Sequence, residues 1–135
     1  MRKIIVSLIV AIATTAAFAQ NQTTPMSIVS PDSGVVYRLF STQNIYTFIK
    51  LNTRNGQLWQ VQWGMDKDHR FECTLGLAIV KENEEKTGRF FLYPTSNIYT
   101  FILVDQIDGR TWQVQWGKGL LTDRWVIPIP FSFSN

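Results

Sequence analysis

Asn97-Ile98-Tyr99-Thr100-Phe101-Ile102 and Trp112-Gln113-Val114-Gln115-Trp116-Gly117 decide the fold, because both runs occur twice. Asn44-Ile45-Tyr46-Thr47-Phe48-Ile49 and Trp59-Gln60-Val61-Gln62-Trp63-Gly64 stand 53 positions earlier, and Gly56 precedes Gly109 by the same step. Across this ungapped stretch 13 of 21 positions are identical, so the chain is a tandem duplication. Leu39 and Thr42 extend the match upstream to Leu92 and Thr95. Downstream, Arg70-Phe71 aligns with Arg124-Trp125 after a one-residue shift.

Each repeat reads as strands. Tyr46 to Leu51 and Tyr99 to Val104 are rich in aromatic and β-branched residues, which suit a pleated surface. The runs 52–56 and 105–109 end in Asn-Gly or Asp-Gly between apolar segments, a hairpin signal because Gly supplies the positive φ such turns need. Asn52 and Asp105 open these turns, where a short polar side chain accepts a backbone N–H. Return strands follow at 58–63 and 111–116. A first strand is predicted at 35–40 and 89–93, and a fourth at 70–75 and 124–131. Pro128 and Pro130, two residues apart, remove two donors from one side, so the last strand is expected at an edge or as an irregular tail.

Strand alternation separates two faces. Trp59, Val61 and Trp63 lie opposite Leu58, Gln60 and Gln62; Trp112, Val114 and Trp116 lie opposite Thr111, Gln113 and Gln115. Fold class follows: an all-β, antiparallel domain of two tandem four-stranded meanders with pseudo-twofold symmetry, packed as a compact sandwich or small barrel. The expected core is Trp59, Trp63, Trp112 and Trp116, with Phe48, Phe101, Leu39 and Leu92 around them. Repeat 1 covers 34–80, the charged run 81–87 is a solvated linker, and repeat 2 covers 88–135.

The N-terminus reads as an address. Met1-Arg2-Lys3 is basic, Ile4 to Ala17 is almost wholly apolar, and Ala17-Phe18-Ala19 places small residues at a cleavage site, the layout of a secretory signal peptide over 1–19. The apolar run is short for a bilayer span, and a polar leader is expected at 20–33. The expected destination is the periplasm or the outside, with no transmembrane segment in the mature chain. Removing the signal leaves 11 basic against 10 acidic residues, so pI argues for no nucleic-acid partner. The single cysteine, Cys73, alternates with polar neighbours and reads as a small core residue.

The repeat Leu92-Tyr93-Pro94-Thr95 through Trp112-Gln113-Val114-Gln115-Trp116 resembles short uncharacterised bacterial exported proteins that carry this tandem motif; no activity attaches to that resemblance. The hairpin of Asp or Asn, Gly and then Trp also looks like a propeller-blade repeat of the quinone-enzyme type. Two blades do not close a propeller, and the quinone chemistry is not carried over.

Candidate ligand-binding residues are Trp59, Gln60, Gln62 and Trp63 with their copies Trp112, Gln113, Gln115 and Trp116. Indole faces stack on apolar sugar faces and amides bond hydroxyls; duplication would present two equivalent sites. The competing reading makes the Trp residues core and the Gln residues a solvated face. Asp66-Lys67-Asp68-His69 holds the sole histidine, but its lack of ligand spacing reads as a turn, so no metal or cofactor is expected. No nucleophile elbow or paired-carboxylate arrangement is evident, and no catalytic residue is nominated. The expected function is a non-enzymatic exported binding module for glycan or cell-envelope material. The alternative is a structural or assembly protein acting by self-association or by docking a larger protein, motivated by Phe40, Phe91 and Tyr93 as exposed apolar positions.

Overall fold

The computed structural model describes residues 34–119 and 123–132. The signal peptide and leader lie outside the described residues. Eight strands follow in chain order: β1 Tyr37–Ser41, β2 Thr47–Asn52, β3 Leu58–Gln62, β4 Phe71–Gly76, β5 Phe90–Pro94, β6 Thr100–Asp105, β7 Thr111–Gln115 and β8 Trp125–Pro128. They form two antiparallel four-stranded meanders, β1-β2-β3-β4 and β5-β6-β7-β8, stacked as a two-repeat sandwich. Short 3-10 turns occur at Lys67–His69 and Glu82–Glu84.

Local chemistry explains the meanders. In the β2–β3 turn the Asn52 side chain accepts the Arg54 N–H at 2.9 Å and its carbonyl accepts the Gly56 N–H at 2.9 Å. Asp105 repeats this with the N–H groups of Ile107 at 3.0 Å and Gly109 at 2.8 Å. Gly56 and Gly109 both take positive φ, 82° and 80°. Their surroundings differ: a Cβ on Gly56 would stand 2.8 Å from Ile79 Cγ1 and 3.0 Å from Phe90 Cε1, whereas one on Gly109 would meet nothing within 4 Å. Gly109→Ala should therefore cost only the positive-φ penalty, about 1–2 kcal/mol. Gly56→Ala should cost about 1–3 kcal/mol more through crowding. Thermal melts of the two variants check the order.

The β1–β2 connection accounts for the repeated Thr and Asn. Thr42 Oγ1 donates to the Thr47 carbonyl at 2.7 Å, and Asn44 Oδ1 accepts the Tyr46 N–H at 2.9 Å. Thr95 and Asn97 do the same at 2.8 and 2.9 Å. Strand β8 is an edge strand, as the proline pair implies, and ends at Pro128; Ile129, between the prolines, still donates to the Thr111 carbonyl at 2.9 Å.

The stacking departs from a twofold. A twofold would bury the same face of both sheets, but opposite faces are buried here. The first sheet buries its Gln face, with Phe40, Ile49, Leu51, Leu58 and Gln60 enclosed. The second buries its Trp face, with Phe90, Leu92, Leu103, Trp112 and Trp116 enclosed. The sheets therefore stack head to tail. Only half of the expected core is core: Trp112, Trp116, Phe101 and Leu92 are buried, Trp59 and Phe48 are half-buried, and Trp63 and Leu39 are exposed. Phe40 is buried rather than exposed, its ring edge-on to Phe91 at 5.4 Å. Cys73 is half-buried rather than enclosed because β4 lies at a sheet edge.

A Tyr–Trp notch built twice

The eight candidate residues do not share one surface. Trp112 and Trp116 are core. Gln60 is fully buried between the sheets; its Nε2 donates to the Gly117 carbonyl at 2.9 Å, and its Oε1 accepts from Arg124 Nε at 2.9 Å. The solvated face expected of the Gln residues thus fails for Gln60, and the buried amide is satisfied by pairing. Trp59 is half-buried, with Lys50 Nζ 4.7 Å above its ring and Tyr37 6.1 Å away. Lys50 also pairs with Glu72. Gln113 and Gln115 lie half-buried on the uncovered face of the second sheet. A continuous Trp–Gln platform is therefore absent from the described residues.

What the fold brings together twice is a smaller constellation. Where β3 leaves the first sheet, Tyr46, Gln62, Trp63 and Gly64 line a notch of about 300 Å3. Where β7 leaves the second, Tyr99, Gln115, Trp116 and Gly117 line one of about 270 Å3. The ring centroids of Tyr46 and Trp63 are 5.0 Å apart at 52°, and those of Tyr99 and Trp116 4.9 Å apart at 53°. Each indole is pinned by the same bond, Trp63 Nε1 to the Ile45 carbonyl and Trp116 Nε1 to the Ile98 carbonyl, both at 2.8 Å. The Asx turn at Asn44 or Asn97 sets the tyrosine, and the return strand sets the tryptophan. Both tyrosines are exposed.

The rims differ. Met65 and His69 border the first notch; Lys118, Gly119 and Asp123 border the second. His69 belongs to the turn 66–69, where Asp66 Oδ1 accepts the Asp68 and His69 N–H groups at 3.1 and 3.2 Å and meets His69 Nδ1 at 2.7 Å. The hydrogen bond with His69 is the main force holding the exposed Asp66 carboxyl below its ordinary pKa, against a slight desolvation. The tyrosines escaped the sequence-level site, although Tyr46 and Tyr99 sit inside the repeated hexapeptide. The signal was there, but the strand pattern alone did not show that the turn folds each tyrosine onto the tryptophan of the return strand.

The second repeat also holds a buried ion pair that the first lacks. Asp105 is fully buried, and Arg89 Nε donates to its two oxygens at 3.1 and 3.0 Å while Nη2 donates to Oδ2 at 2.8 Å. The counterparts of Arg89 and Asp105 are Val36 and Asn52. Burial works to raise the Asp105 pKa. The Arg89 hydrogen bonds and the Ile107 and Asp108 amides outweigh it and hold the carboxyl below its ordinary range. The same bonds, chiefly those to Asp105, push Arg89 up. The pair fixes the start of β5 to the end of β6. No protein-family model, curated protein or solved structure matches this chain.

Proposed function

We propose that the chain is an exported, non-enzymatic binding module whose ligand surface is the pair of Tyr–Trp notches, and that its ligand is a saccharide unit of a glycan or cell-envelope polymer. One observation carries this reading. The Tyr–Trp geometry is reproduced within 0.1 Å and 1° in the two repeats, while the rim residues beyond it have diverged. A tilted aromatic pair with a neighbouring amide suits a small amphipathic ring: apolar C–H faces meet Tyr46 and Trp63 in the first notch and Tyr99, backed by the enclosed Trp116, in the second, and hydroxyls meet Gln62 or Gln115. The notch volumes lie at and just below the lower end of the range for ligand sites, which favours one sugar residue per notch over a long chain. Two notches per chain suit a repeating polymer, because the second contact is then intramolecular. Export rests on the reading of residues 1–19.

The test is a screen of glycans and envelope polymers followed by titration of intrinsic fluorescence. Two sites of unequal affinity per chain are expected, the first offering both of its rings and the second its tyrosine ring, because Trp63 is exposed and Trp116 is enclosed. Tyr46→Ala and Tyr99→Ala should each weaken their own site roughly tenfold, the equivalent of about 1.4 kcal/mol, and leave the other site and the far-UV dichroism unchanged. A screen without hits, or binding indifferent to both substitutions, would sink the reading.

A further inference from the structure

Each sheet has a Gln face and a Trp face, and the chain consumes one of each in its own stacking. The Trp face of β1–β4 and the Gln face of β5–β8 are left uncovered. We propose that these two faces join between copies, the Trp face of one chain on the Gln face of the next, and close a ring of two to four chains. A face-to-opposite-face joint is heterologous and must either close or run on. Two to four chains supply four to eight sheets, the usual range for radially stacked sheets.

The uncovered Gln face carries an open depression of about 530 Å3 lined by Tyr93, Ile102, Val104, Asp105, Gly109 and Thr111. One repeat earlier the same positions are Phe40, Ile49, Leu51, Asn52, Gly56 and Leu58, and every one of them is buried. Two groups pack over Gly56 there: Ile79, which follows β4, and the Phe90 ring, from the Trp face of the second sheet. The counterpart of Phe90 on the uncovered Trp face is Tyr37, which is 55% exposed. A second copy therefore carries, at the equivalent position, an aromatic ring of matching type for this depression.

The polar contacts repeat the match. Inside the chain, Gln60 Nε2 donates to the Gly117 carbonyl and its Oε1 accepts from Arg124. The counterparts are Gln113 on one uncovered face and Gly64 with Arg70 beside the other. Among the described residues, the Gln113 amide, the Gly64 peptide groups and the Arg70 guanidinium make no hydrogen bond or ion pair. Both uncovered faces are also more polar than their buried counterparts. The Lys50–Glu72 pair stands where the second sheet has Leu103 and Val126, and Thr111 stands where the first has Leu58. That substitution makes the joint between chains weaker than the joint within one, so that assembly depends on concentration. It holds whether or not the notches bind sugar.

Native mass spectrometry and sedimentation velocity of the purified full chain test the proposal, with two variants. Ile102→Arg fills the depression, and Tyr37→Arg replaces the ring that enters it; both side chains lie outside the intrachain core, and far-UV dichroism checks folding. The unaltered chain is expected as a discrete particle of two to four chain masses. Each variant alone is expected at one chain mass. Mixed in equal amounts, the two variants should form a two-chain complex and nothing larger, because each retains the face the other has lost. A single-chain mass for the unaltered protein at every soluble concentration overturns the proposal. So does an oligomer indifferent to both substitutions, mixed variants that stay apart, or a particle that grows without limit.

Discussion

Trp116→Ala is expected to lower stability by about 3–5 kcal/mol, and Trp63→Ala by less than about 1 kcal/mol, although the two residues hold the same place in the two repeats. Trp116 is 0% exposed and Trp63 is 44% exposed. Removing the first leaves a cavity between the sheets that the surrounding strands cannot refill. Removing the second mostly uncovers Tyr46 and exchanges one indole hydrogen bond for water. Domains of this size shift by about 4–8 °C per kcal/mol, so the first variant should melt about 12 °C or more below the parent. Thermal and urea melts at a dilution that keeps single chains check the difference. Equal losses from the two variants would mean that both Trp faces are covered in one chain, against the head-to-tail stacking. Acrylamide should likewise quench Trp63 and spare Trp116.

Asp105→Ala is expected to cost about 3 kcal/mol at neutral pH, because removing one member of a buried ion pair leaves the other uncompensated. Asp105→Asn separates the roles of the side chain. Asn52 already performs the turn function in the first repeat, so the amide should keep the β6–β7 turn while abandoning Arg89. Adding Arg89→Val to Asp105→Asn installs the Val–Asn combination of the first repeat, and should recover much of what Asp105→Asn loses. The pH dependence follows from the lowered carboxyl. A group whose pKa falls on folding adds stability above its unfolded value, near 3.9 for aspartate. That contribution drains away as pH falls through the lower folded value. The gap between the parent and Asp105→Asn should therefore be full at neutral pH and narrow below about pH 4. Urea midpoints along a pH series measure it; a gap that widens on acidification would contradict the assignment.

The notches occupy a middle position. Tyr46, Trp63, Tyr99 and Trp116 all belong to repeated segments, so their importance was visible as internal identity. Their contact was not, because it joins the β1–β2 turn to the far end of β3 and requires the register in which Thr47 faces Gln62. Gln60 and Gln62 show the same division. Both read as a polar strand face, but Gln60 is sealed against Gly117 while Gln62 reaches the His69 carbonyl at the rim.

Alternation, Asx turns, Asn-Gly and Asp-Gly hairpins and the proline pair are local properties, and identical segments give identical local structure. By themselves they determined the two four-stranded antiparallel meanders, their turns and the edge position of the last strand. They did not determine which face of each sheet is covered. Copies of one motif present the same two faces, and stacking them head to tail must enclose the Gln face of one and the Trp face of the other. Only the tertiary structure decided that Trp116 and Gln60 are interior while Trp63 and Gln113 are not, because burial is set by what lies across the interface and not by the strand that carries the residue.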